Sequence, residues 1–130
     1  MRDPVVREFL LAFWKIHILH HAAEQGIYGQ WMLEELHHHG YRLSPGTLYP
    51  MLARMATRGW LRATEPKRSK AARMYRLTPR GHEVLRQVLE SLDELYREVD
   101  EHAHRPKATL NASRATQPAP KRAKRHSSNR

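Results

Sequence analysis

Two groups of side chains in this sequence are of types that do chemistry. The first is histidine: His17 and His21 stand four apart in "KIHILHHAAE", and His37, His38 and His39 are consecutive. Imidazoles at i, i+4 share one face of a helix, and such pairs hold zinc in known sites. Consecutive histidines on a helix point to different faces, and no carboxylate lies at a suitable spacing beside His17 and His21. The expectation is ordinary surface or interface histidines and no metal site. The second group is "SPGTLYPML", Ser44 to Leu52. Ser44 can cap a helix and Pro45 suits its first position. Ser44 and Thr47 then offer hydroxyls at a helix N-terminus, whose dipole favours an anion, and Gly46 lets a phosphate approach the backbone. Tyr49 belongs to the same region, and Arg54 lies further along. Pro50 has no N–H, so the Gly46 carbonyl is left for water or another partner. No nucleophile–base constellation and no phosphate-cradling glycine loop is visible, so neither an enzyme nor a cofactor is expected.

Charge sharpens the second group. The chain has 130 residues, no cysteine and a net charge of +10. From Arg105 onward it carries Arg105, Lys107, Arg114, Lys121, Arg122, Lys124, Arg125 and Arg130 with no Asp or Glu. Most of the excess charge is therefore in the last stretch, and residues 1–104 are close to balanced. Residues 105–130 have one large aliphatic, Leu110, too little to offset the entropy of ordering. They are expected to form a basic disordered tail, either a polyanion binder or a solubilising segment. Without cysteine there is no disulfide and no thiolate metal site. No apolar run approaches the ~18 residues that span a bilayer. A soluble cytoplasmic protein without membrane partners is the expectation.

The elements that must position these residues are mostly helical. "VVREFLLAFWKIHILHHAAE" (Val5 to Glu24) forms a first helix whose apolar residues spread over more than one face. Phe9, Phe13 and Trp14 need more cover than so short a chain supplies, which points to a second subunit. After a break at "EQGIYG", a second helix runs from about Gly29 to His39, with Gly40 as its left-handed stop. A third runs from Pro45 to about Arg58 and ends at Gly59. "WLRAT" (Trp60 to Thr64) and "RMYRLT" (Arg73 to Thr78) alternate as paired strands do. Between them lies a basic tip with Lys67, Arg68 and Lys70. The last helix, from about Pro79 to His102, carries Leu85, Val88, Leu92, Leu95 and Val99 in alternating steps of three and four. That is a heptad seam. Its other faces are largely acidic, a poor surface for DNA and a good one for docking protein.

The fold class that follows is mostly α with a small two-stranded β-ribbon. A winged helix-turn-helix domain (1–80) precedes a C-terminal dimerisation helix (81–104) and the basic tail (105–130). In a helix-turn-helix the helix after the turn enters the major groove of double-stranded DNA, with its first residues toward the bases. "LSPGTLYPMLARMATRGWL" (Leu43 to Leu61), a basic loop, "YRLTPRGHEVL" (Tyr75 to Leu85) and "IYGQWMLEELHHHG" (Ile27 to Gly40) together resemble the PadR family of transcriptional regulators. The resemblance covers about Val5 to His102 and is closest to the subgroup with a single short C-terminal helix. It implies a homodimer on an inverted-repeat operator, usually repressing, with the wing near the adjacent minor groove. It also implies a C-terminal helix packed on the partner's first helix. The DNA-contact set is then Ser44, Gly46, Thr47, Tyr49, Arg54, Lys67, Arg68, Lys70 and Arg73. The dimerisation set is Phe9, Phe13, Trp14, Leu85, Val88, Leu92, Leu95 and Val99. Phe13 and Trp14 are read as plain dimer packing or, as in some relatives, as the lining of a small-molecule effector cavity. The family's wing often has Tyr where this chain has Met74, and the basic tail is not part of its common pattern. An architectural, largely sequence-independent DNA binder dominated by the tail stays open as the alternative. A protein-interaction module on the same scaffold is a third reading.

Overall fold

The computed structural model describes residues 4–64 and 73–103. The element order is α1 (Val6–Glu24), β1 (Ile27–Tyr28), α2 (Gly29–His38), α3 (Pro45–Thr57), β2 (Leu61–Ala63), β3 (Met74–Leu77) and α4 (Pro79–Ala103). The chain forms two compact units, Met1–Leu92 and Asp93–Arg130. The first unit takes in the first half of α4.

The two-stranded ribbon expected from the alternating segments is in fact a three-stranded antiparallel sheet in the order β1-β3-β2. Leu61 faces Leu77 and Ala63 faces Tyr75, while Ile27 pairs with Tyr75 and Tyr28 with Met74. A two-residue strand is too short to show a period of two, so "EQGIYG" reads as a break. Gly26, just before β1, leaves room for the Met74 side chain, which a Cβ there would displace. At the base of the wing, Thr64 donates its N–H to Met74 O at 2.9 Å, and Met74 N–H donates to Thr64 Oγ1 at 3.0 Å.

Two helix ends close by left-handed glycines, Gly40 at φ +88° and Gly59 at φ +80°. In each, the next residue's N–H reaches back to the last turn, Tyr41 to Leu36 O and Trp60 to Met55 O, both at 3.0 Å. An L side chain at either glycine would be strained, which is why glycine stops both helices. The core lies between the inner faces of α1, α2 and α3 and the sheet. It holds Trp14, Ile18, Leu19, Met32, Leu36, Leu48, Met51, Leu52 and Met55, with Ile27, Leu61, Tyr75 and Leu85. At about 1.5–3 kcal/mol for each fully buried large side chain, this cluster is the main favourable term in folding. Tyr75 of β3 is buried in it. α3 runs through Pro50, which sits on its exposed side.

Two members of the expected dimerisation set are buried in this core. Trp14 is 1% exposed and Leu85 is 8% exposed. Trp14 faces inward with Ile18 and Ala22, one helical turn apart each, and Tyr41 meets its ring edge-on. The broad apolar surface of α1 is thus divided: one face fills the core, and Val5, Val6, Phe9 and Phe13 remain exposed. Phe13 is exposed and Trp14 is buried, so the two neighbours face different surroundings.

Candidate nucleic-acid interface

The turn between α2 and α3 is tied down from α2. His37 Nε2 lies 2.9 Å from the Leu43 carbonyl oxygen, just before Ser44. Leu43 itself is buried. One polar and one apolar anchor thus set where α3 begins.

At that beginning, the backbone carbonyl of Ser44 accepts the N–H groups of Thr47 and Leu48, each at 3.0 Å. The Ser44 hydroxyl does not cap the helix. It lies 3.5 Å from Thr47 Oγ1, on the solvent side. Capping by the Ser44 side chain, expected from sequence, is corrected on this point: the hydroxyl is turned outward rather than onto the helix. Gly46 is exposed, and a Cβ there would meet only Ser44 Oγ, at an ordinary 3.5 Å. Among the described residues, nothing requires this residue to be glycine. The first turn of α3 contains no acidic side chain.

Arg7, which sequence reasoning missed, joins this surface from α1. Its guanidinium donates to Thr47 Oγ1 at 3.3 Å and lies 5.8 Å from the Trp14 ring centroid. The pair is 40 positions apart in sequence, and no local pattern in "VREFLL" announces it. A cation thus stands beside hydroxyls at the positive end of a helix, an arrangement suited to phosphate oxygens.

Tyr49 is half-buried and its ring lies over Gly29, where a Cβ would overlap Cε1 of the ring. Packing therefore holds the ring, and DNA contact from it is left to the phenol end. Arg54 is exposed in the last turn of α3. Arg58, beyond the helix end, stacks its guanidinium 5.3 Å from the Trp60 ring centroid. Arg73, at the return of the wing, is half-buried and its Nε has no partner among the described residues. Lys67, Arg68 and Lys70 lie outside the described residues, as does the basic tail.

A second surface is apolar. On α4, Leu89, Leu92, Leu95, Tyr96 and Val99 are exposed, Val99 to 58%, while Val88 is half-buried. Around them, Arg86 pairs with Glu90 at 2.6 Å and Arg97 with Asp93 at 2.7 Å, exposed contacts that contribute little to stability.

The comparisons agree with this architecture. The Transcriptional regulator PadR-like family matches residues 18–87. A transcriptional regulator of Mycobacterium tuberculosis, Rv3488, is 46% identical over 95 residues, covering 72% of this chain and 89% of that protein. A PadR family transcriptional regulator of Eggerthella lenta has a similar solved structure, with TM-score 0.62 and 27% identity over 76% of this chain and 85% of that one. A PadR-like regulator of Bacillus cereus superposes with TM-score 0.63 at 22% identity, covering 80% of this chain and all of that one, and so bears on the fold. These relatives are regulators of transcription rather than enzymes, and among the described residues no helix is long and apolar enough to cross a membrane. With a winged helix whose recognition-helix start carries hydroxyls, a bare glycine and a cation, the chain belongs to the PadR-like family of DNA-binding transcriptional regulators.

Proposed function

We propose that two copies of this chain bind an inverted-repeat operator and repress transcription in the cytoplasm, and that a small-molecule effector releases them. The observation that carries the reading is the start of α3. Arg7, Thr47, Ser44 and the uncovered Gly46 form a cationic, hydroxyl-rich surface with no acidic side chain in its first turn. α3 would enter the major groove there, with Arg54 on the flanking backbone. Lys67, Arg68, Lys70 and Arg73 would serve the wing.

The exposed apolar residues support the dimer. Phe9 and Phe13 on α1 and Leu89, Leu92, Leu95, Tyr96 and Val99 on α4 are more large apolar side chains than a monomer ordinarily leaves in water. A partner's α4 covering α1, as the family resemblance implies, would bury them. Phe13 and Trp14 would lie beside such an interface, Phe13 with its ring exposed toward an effector and Trp14 behind it.

The test is binding of the full-length protein to DNA from its own upstream region and to scrambled DNA, at low and physiological salt. A preference of about a thousandfold or more at physiological salt is expected for a specific regulator. Arg7→Ala should weaken binding to all sequences and lower the salt slope by about one. Equal, salt-labile binding to both DNAs would favour the alternative, in which the tail's eight basic residues dominate. Deleting residues 105–130 separates the two readings: a specific regulator keeps its preference, and an architectural binder loses its affinity.

A further inference from the structure

The histidines that the recognition surface leaves unused come together in space. His17 and His21 project from α1 with their rings nearly parallel, 15° apart, and 6.4 Å between centroids. His39, immediately after α2, brings its ring to 4.9 Å from that of His17. One nitrogen from each of the three can be chosen so that all lie within 4.8 Å of one another. The carboxylate absent from the helical spacing arrives from the other helix. Glu35 Oε1 stands 3.1 Å from His39 Nε2 and 3.6 Å from His21 Nε2. Tyr41 meets the His17 ring edge-on at 5.5 Å, and Trp31 meets the His21 ring at 5.3 Å, so aromatic rings wall the cluster.

We propose that His17, His21 and His39 form a binding site for a divalent transition-metal ion, with Glu35 as the outer carboxylate that orients two of the imidazoles. This inference stands on the geometry of the cluster and does not depend on the operator reading. It departs from the expectation of ordinary histidines, which rested on the different faces of consecutive histidines and on the lack of a suitably spaced carboxylate beside His17 and His21.

The donor chemistry selects the ion. Three imidazoles and no thiolate suit Zn²⁺, Co²⁺, Ni²⁺ or Cu²⁺, and exclude the oxygen-seeking Mg²⁺ and Ca²⁺. Three histidines with water in a fourth position is an established zinc arrangement. Zn–N bonds of about 2.0–2.1 Å put tetrahedral ligand atoms about 3.3 Å apart, so the cluster must close by roughly an ångström. His39 has room to do this, because it follows the last residue of α2 and its side chain is 44% exposed. His20 and Glu24, 3.4 Å apart on α1, make a rival set with His21, but both are well exposed and both come from the helix that His21 already occupies. The three-histidine set instead bridges α1 to the end of α2.

The test uses the full-length chain, stripped with a chelator and titrated with Zn²⁺ alone by calorimetry. One ion per chain is expected, with a rise in melting temperature. Glu35→Gln should lose roughly 10–100-fold in affinity, the usual cost of an outer partner. His17→Gln and His39→Gln should each lose at least that much, and His20→Gln should bind as the parent does. Absence of Zn²⁺ binding, unchanged affinity in His17→Gln and His39→Gln, or an equal loss in His20→Gln would each overturn the assignment. Circular dichroism melts of the metal-free variants check that they fold. Ring ¹⁵N spectra of the unsubstituted chain give a readout independent of mutation: Zn²⁺ should move the resonances of His17, His21 and His39 together. Unmoved signals at these three would sink the site.

Discussion

Helices α3 and α4 begin with nearly the same words, "SPGT" and "TPRG". Each has a hydroxyl residue before the helix, a proline in first position and a glycine in the first turn. The structure uses them in opposite ways. At α4, Thr78 Oγ1 accepts the Gly81 N–H at 3.0 Å, and its own proton is shared between the Gly59 and Trp60 carbonyls. A Cβ on Gly81 would run into the Trp60 carbonyl oxygen and the Leu77 side chain. At α3, the Ser44 hydroxyl caps nothing and a Cβ on Gly46 would meet open space apart from Ser44 Oγ. One helix start is completed by contacts within the protein; the other, among the described residues, is left open. The contacts proposed at the start of α3 rest on that difference, so substitutions at the two starts should separate into losses of fold and losses of binding.

The largest effect is expected at Gly81. Gly81→Val forces backbone and side chain apart at the junction of α4 and the wing. Overpacking costs about 1–3 kcal/mol, and here the obstructing atom is a backbone oxygen that cannot rotate away, so the upper figure applies. The melting temperature should fall by on the order of 10 °C or more. Operator affinity of the fraction that remains folded should match the parent. A thermal melt and a titration at low temperature check both halves, and an unchanged melt would show that the junction yields.

Thr78→Ala comes next. It removes a helix cap, worth about 1 kcal/mol and up to ~2 kcal/mol. It also strips a donor from two carbonyls that hold β2 against α4. Chemical denaturation should show the loss in full, with DNA binding unchanged apart from stability. A loss as small as that of an exposed surface substitution would mean that water replaces the hydroxyl, and the contrast between the two starts would then narrow.

How much of this contrast is legible in the sequence depends on which contacts decide it. Helix boundaries follow from local rules, and Gly40 and Gly59 end their helices where left-handed glycines should. The partition of α1 does not. Phe13 and Trp14 are neighbours of similar type, and tertiary packing, with Tyr41 against the Trp14 ring, buries Trp14 and leaves Phe13 out. The third strand was hidden because two residues carry no period. The partners Arg7 and Thr47 are 40 positions apart, and the carboxylate for the histidine cluster comes from α2, so no spacing rule along α1 finds either. "SPGT" and "TPRG" show the same limit most clearly, since their chemistry is alike and their surroundings alone tell them apart.

Gly46→Ala should reverse the sign of Gly81→Val. With nothing to obstruct the added methyl group, a helical position gains up to ~1 kcal/mol from the better helix former. The same methyl stands where a phosphate would approach, so operator affinity should fall while the melting temperature rises. Calorimetric melts paired with DNA titrations read the two quantities on one sample. A gain in stability with undiminished affinity would show that the backbone at this turn does not meet DNA.

The smallest change in stability belongs to Ser44→Ala. An N-cap serine that caps would cost about 1 kcal/mol when lost. Here the hydroxyl makes no cap bond and is exposed, so the expected change lies within the ~0.5 kcal/mol of an ordinary surface substitution. Operator affinity should drop nonetheless, because the hydroxyl sits beside Thr47 on the surface that Arg7 makes cationic. The two measurements answer different questions. A stability loss of the full cap magnitude would mean that Ser44 turns inward in solution and that the two helix starts are alike after all. Unchanged stability with unchanged affinity would leave the open start intact but move its ligand away from Ser44, toward Arg7 and the Gly46 backbone.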